Sequence, residues 1–134
     1  RRTLPVLAAT PWSHLERNIG KLERHPTDEE LHRVRILAKR ARYAAEAAAP
    51  VIPAAARHAE AIAALQGVLG DHQDAVLAQQ WLRDAVAGGA SGPEAFGSGL
   101  LVRAEQDLAA RHRRRWRAAW AEASRKKLTG WLAP

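Results

Sequence analysis

The chain has 134 residues, 47% of them hydrophobic, with no cysteine, and its 21 Lys and Arg against 14 Asp and Glu give a formal charge of +7. That length allows one domain, or part of one, with a modest core, and the missing cysteines exclude a disulfide framework and thiolate chemistry. The charge attracts polyanions in general, whether nucleic acid, polyphosphate or an anionic surface, without choosing among them.

Much of the apolar share is alanine, which favours helix and lets helices approach closely. β-Branched residues are sparse and no stretch alternates as a strand would, so an all-α protein is expected. No apolar run approaches the length of a membrane span and the first residues lack the apolar region of a secretory signal, which points to a cytoplasmic protein.

Arg1 to Ala9, with Pro5 at its centre, reads as a helix end or linker. Thr10 then offers an N-cap with Pro11 at the first helical position. This opens a short helix to about Arg24, with Trp12, Leu15, Ile19 and Leu22 on one face and His25-Pro26 closing it. Neither His14 nor His25 is assigned a functional role.

The most informative stretch follows, TDEELHRVRILAKRARYAAEAAAP from Thr27 to Pro50. Thr27 and Glu30 have the spacing of a capping box, and Asp28, Glu29 and Glu30 put negative charge in the first turn. Pro50 stops the helix. At about 100° per residue, Leu31, Val34, Leu37, Ala38, Ala41, Ala44, Ala45 and Ala48 gather on a core face. His32, Arg35, Lys39, Arg42, Tyr43 and Glu46 gather on the far side. Arg35, Lys39 and Arg42 are each about one turn from the next, and no acidic side chain lies between Leu31 and Ala45. Like charges so placed repel. A polyanion with closely spaced phosphates relieves the repulsion, because Arg forks onto phosphate oxygens and Lys acts as a point charge.

Pro53 starts a third helix with Ala55, Ala59, Ile62, Ala63, Leu65, Val68 and Leu69 as apolar positions. Gly70 ends it, with Asp71 capping the next, or else the helix kinks and continues. His72 and Asp74, two residues apart, point to different sides of a helix and make no metal pair. A fourth helix passes through Val76, Trp81, Leu82 and Val86 to Gly88-Gly89. GGASGPEAFGSG after it reads as a flexible connection. The last helix is expected from about Leu100 to Lys126, with Leu101, Leu108, His112, Trp116, Ala119 and Ala123 on its apolar side. His112 is then a satisfied core histidine, and Trp116 and Trp120 are core. The arginines from Arg111 to Arg117 either broaden the basic surface or only solvate it. Arg125, Lys126 and Lys127 fall in the last turn, complementing the helix dipole.

Two motifs carry a family resemblance. His32-x-x-Arg35-x-x-x-Lys39-Arg40-x-Arg42-Tyr43-x-x-Glu46 resembles the signature helix of the CHAD family, the conserved histidine α-helical domain, which binds inorganic polyphosphate. Leu65-Gln66-x-x-Leu69-Gly70-x-x-x-Asp74 is similar to a second segment of that family, and Trp131 to its aromatic ending. The likeness covers the chain from about Glu30 onward, and residues 1–26 carry nothing diagnostic.

The resemblance implies two related helical bundles facing each other across a basic channel. With one copy of the signature present, the chain reads as one half, the second or C-terminal one. Residues 1–26 lead into a bundle over 27–134, an antiparallel arrangement of about four main helices plus a short N-terminal helix. The missing half belongs to the same polypeptide or to another copy.

The expected function is polyphosphate binding without catalysis, with no cofactor and no metal, and possible association with polyphosphate granules. Arg35, Lys39 and Arg42 are the first-choice contacts, and His32, Arg40 and Tyr43 the second. Glu46 aligns Arg42. Asp74 either holds the fold together or orients a phosphate-binding arginine. His32 donates to phosphate, changes affinity with its protonation, or holds a neighbour in place. The alternative is a nucleic-acid-binding helical module, which would add stacking or base-edge contacts to the same charges; only Tyr43 is placed for that.

Overall fold

A computed structural model describes residues 3–132. Among them the elements are α1 (Thr3–Gly20), α2 (Asp28–Ala48), α3 (Pro53–Ala87), α4 (Gly92–Ala123), the single turn α5 (Lys126–Thr129) and a final 3-10 turn at Gly130–Leu132. No strand occurs among the described residues. The fold is an all-α bundle in which α1 packs on α2, α2 on α3 and α3 on α4. The single core draws on Trp12 and Leu15 of α1, Leu31 and Val34 of α2, Ile62, Leu65 and Leu69 of α3, and Trp116 of α4.

The first helix is longer than its punctuation suggests. It begins at Thr3, runs through Pro11 and ends at Gly20, so Thr10 does not cap it and Lys21 to Arg24 lie outside it. Pro11 removes one bond, to the carbonyl of Leu7. Leu7 is exposed, so water can satisfy that carbonyl, while Ala8, Trp12, Leu15 and Ile19 bury a stripe spanning the proline. The packing outweighs the break.

The Thr27 capping box forms: Thr27 N–H donates to Glu30 Oε1 at 2.9 Å and Glu30 N–H to Thr27 Oγ1 at 3.1 Å. The expected core face of α2 is buried at Leu31, Val34, Ala38, Ala41, Ala45 and Ala48, with Leu37 and Ala44 half-buried against it.

Helix α3 does not end at Gly70. It runs unbroken from Pro53 to Ala87, 35 residues in all, with Asp71 exposed on its surface and not capping a new helix. Leu65, Leu69, His72 and Ala75 keep one buried stripe in register across the glycine, and a helical Gly costs only about 1 kcal/mol.

The connection to α4 is also shorter than expected. Gly89, at φ 106°, makes the turn, and Ser91 already caps α4: Ser91 N–H donates to Glu94 Oε2 at 3.1 Å and Glu94 N–H to Ser91 Oγ at 3.3 Å. Pro93 in the first turn completes the start signal. Gly92 to Gly99 is therefore helix, not loop. At its other end α4 stops at Ala123, and the Ser124 hydroxyl donates to the Trp120 carbonyl at 2.8 Å. Arg125 pairs with Glu122 at 2.9 Å, while Lys126 and Lys127 lie in α5, beyond the α4 terminus they were expected to complement.

Candidate functional site

The basic row lies on the flank of α2 that meets α3. Arg42 is held from two directions: its Nε donates to Glu46 Oε1 at 2.8 Å and its Nη1 to Gln66 Oε1 on α3 at 3.0 Å. Glu46 thus aligns Arg42, and Gln66 of the Leu-Gln segment has a physical role that sequence alone did not reveal. Arg35, one level down, lies against Gly70: a Cβ built there would sit 3.5 Å from Arg35 Nε. The Leu-Gln-x-x-Leu-Gly segment thus backs two arginines of the stripe. Lys39, between them, is exposed.

Tyr43 is 50% exposed, with Arg42 Cζ 5.4 Å and Lys39 Nζ 5.7 Å from its ring centroid. The π face draws both cations toward one side of the row. His32 Nδ1 and Arg35 Nε are buried atoms without a hydrogen-bond partner.

Arg40 is not part of this row. It lies two residues before Arg42, about 160° away around the helix, and lines a depression with Thr10, Pro11, His14 and Leu37 on the α1 side. Asp74 is exposed and makes no hydrogen bond or ion pair with any described residue. It sits on the flank of α3 that Gly70 occupies, one turn on.

The arginines of α4 do different work from one another. Arg113 donates to the Pro26 carbonyl at 2.6 Å through Nη1 and to Asp28 Oδ1 at 2.6 Å through Nη2. Arg117 donates to the carbonyls of Glu23 at 2.9 Å and Arg24 at 3.3 Å. Both fasten the α1–α2 loop to α4, and Arg117 also lies 4.5 Å over the Trp116 ring.

Two histidines are buried, His72, which was weighed only as a metal ligand, and His58, which the sequence reading did not single out. His72, 1% exposed, places Nε2 3.3 Å from Asp28 Oδ1, close but off the line of a good hydrogen bond. Burial lowers its pKa, Arg113 and His112 push the same way, and Asp28 opposes them. His112 is half-buried beside it, not a satisfied core residue. His58, also 1% exposed, accepts the indole N–H of Trp131 on Nδ1 at 3.1 Å. Its helical spacing with Ala55, Ile62 and Leu65 was the available signal. Among the described residues no three His, Asp or Glu side chains gather as metal ligands.

The CHAD domain pattern matches residues 1–83, covering α1, α2 and most of α3. The chain belongs to the CHAD family. Association with polyphosphate binding comes with that family. The match takes in residues 1–26, where sequence reading found nothing diagnostic, and stops at residue 83, short of α4 and of Trp131, to which the resemblance had been extended. Two uncharacterized proteins from two strains of Mycobacterium tuberculosis are each 40% identical over 96 residues, covering 71% of this CHAD chain. The chain spans only 18% of the length of those relatives. No solved structure matches it. No helix among the described residues is long and apolar enough to cross a membrane.

Proposed function

We propose that this CHAD chain binds inorganic polyphosphate along the flank of α2 beside α3 and does not turn it over. The observation that carries the reading is the row Arg35, Lys39, Arg42, in which Arg42 is anchored by Glu46 and Gln66 and Arg35 rests on Gly70. Anchoring lowers the entropy lost when a guanidinium engages phosphate, which is preorganisation in the ordinary sense. The spacing of the row, about one turn between cations, suits a ligand with charge on every repeating unit.

A binding role is supported by the chemistry of the row itself. Its one carboxylate, Glu46, is engaged by Arg42. On this reading the chain supplies one wall of the polyphosphate path, and a second CHAD-like half, from the same polypeptide or another copy, supplies the other. Tyr43, half-exposed beside two cations, favours a second reading in which single-stranded nucleic acid stacks a base there.

Titration separates the two. Long-chain polyphosphate and single-stranded RNA of equal charge are compared at low and near-physiological salt, with wild type and Lys39→Ala/Arg42→Ala. Tighter binding of polyphosphate at the higher salt, weakened roughly 10- to 100-fold in the double variant, is expected from the loss of two charge-assisted contacts. Equal binding of both polymers, unmoved by the substitutions, overturns the assignment. A preference for RNA that Tyr43→Ala removes supports the second reading.

A further inference from the structure

The cations of α1 and α2 form two rows, of which the stripe above is only one. Arg33 and Arg40 lie seven residues, about two turns, apart on the flank of α2 toward α1. Arg17 and Lys21 approach from the end of α1. Between the helices run three depressions that share Leu37 as a lining residue. One, of about 270 Å³, is lined by His14, Arg17, Asn18, Lys21, Arg33 and Leu37. It gathers three cations and no carboxylate.

Arg17, Lys21, Arg33 and Arg40 make no ion pair with any described residue. Arg17 Nε donates to the Ser13 carbonyl at 3.4 Å, which steadies the guanidinium and leaves its two Nη groups free. Asn18 Oδ1 is buried without a partner, and an amide turned end for end would present N–H there instead.

The dipole of α1 explains a cation at Arg17 and Lys21, near its C-terminal end. It does not explain Arg33. That residue sits in the second turn of α2, where the helix field disfavours positive charge, and it faces two more cations across the groove. Glu29 and Glu30, one turn before Arg33, offset its charge from the other side; on the groove side the three cations repel one another, and an anion seated between them relieves that.

The groove is also bounded. The neighbouring depression toward Thr27 is lined by Glu29 and Glu30 as well as Arg33 and Arg40. Carboxylates at that end oppose a long polyanion running through. Three cations within one such depression, with carboxylates beyond it, suit a compact cluster of phosphates.

We infer that the α1–α2 groove is a second anion site, distinct from the stripe, for a compact oligophosphate held by Arg17, Lys21 and Arg33. Its test is calorimetric titration with tripolyphosphate at about 0.15 M ionic strength, comparing wild type, Arg17→Ala/Lys21→Ala and Lys39→Ala/Arg42→Ala. Arg17, Lys21 and Lys39 are exposed and Arg42 is half-buried against Gln66, so circular dichroism checks that the helices persist. Tripolyphosphate binding should weaken roughly tenfold or more in the groove variant, from two lost charge-assisted contacts, and survive in the stripe variant. Absence of binding to wild type, equal affinity in the groove variant, or loss in the stripe variant alone overturns the inference. Long-chain polyphosphate on the same two variants reports on the stripe separately, so either site can fail without the other.

Discussion

His58 is the residue at which both ends of the chain meet α3. Its ring stands edge-on to Trp12 at 4.5 Å, and its Nδ1 takes the Trp131 N–H at 3.1 Å. An accepting Nδ1 requires the neutral ring with its proton on Nε2. Burial accordingly pushes the pKa down from 6.5 to about 4, with the Ala123 carbonyl pulling weakly the other way. His72 is lowered as well, first by burial. A lowered folded pKa means the unfolded chain takes up the proton first as pH falls. The stability these groups contribute is therefore complete above the ordinary histidine pKa and is lost as pH falls toward the folded value. For His58 the window runs from 6.5 down to about 4, and its share is on the order of 3 kcal/mol. Urea unfolding followed across that range should show a falling midpoint. His58→Gln, which keeps an acceptor for Trp131 but cannot titrate, should flatten the fall while lowering stability near neutrality. An unchanged pH dependence in that variant would assign the acid sensitivity to other groups.

Helices α2 and α4 open with the same device, yet the two capping boxes should differ in consequence. The Thr27 box adjoins Asp28, which takes the Arg113 guanidinium from α4, and Leu31 and Val34 bury in the next turns. Thr27→Ala should lower global stability by about 1 kcal/mol, seen in urea unfolding. The Ser91 box opens a helix with no buried residue before Ala109. Ser91→Ala should instead fray the first turns of α4, seen as faster amide exchange around Ala95 to Ser98 with a smaller change in midpoint. An equal midpoint loss in both variants would show that the start of α4 belongs to the cooperative unit. The same pair explains what was legible in the sequence. Thr27-x-x-Glu30 stood beside a clear apolar period and was read correctly, whereas Ser91-x-x-Glu94 stood among glycines, whose composition argues for a loop. Pro11 misleads in the same way, and Gly70 leaves open whether the helix ends or continues: each is a local breaker overruled by a buried stripe that continues through it, and only long-range packing reveals that. Of the site, the row on α2 follows from helical period alone. The support from Gln66, and the turning of Arg40 toward α1, depend on which helix lies on each side.

Across the whole molecule, a charge of +7 does not distinguish the cations that hold the fold from those available to a ligand. Arg113 and Arg117 fasten the α1–α2 loop to α4, and their removal should lower stability while leaving polyanion binding nearly unchanged. Arg35, Lys39 and Arg42 should do the reverse. Salt dependence can count them, because each phosphate neutralised on a single-stranded polyanion releases counterions and contributes about −0.7 to the slope of log K against log salt. If the stripe reading holds, its three cations contribute about −2 to the slope for long-chain polyphosphate, and Lys39→Ala/Arg42→Ala makes the measured slope shallower by more than one. The exposed pair Arg114 and Arg115 provides the contrast, since it lies on α4 and outside the row. If Arg114→Ala/Arg115→Ala shallows the slope as much as the stripe variant does, the polymer is responding to the diffuse field of the molecule and the row on α2 is ordinary basic surface. If only the stripe variant changes it, the charge that matters is local, and it lies on the row that Glu46 and Gln66 hold in place through Arg42.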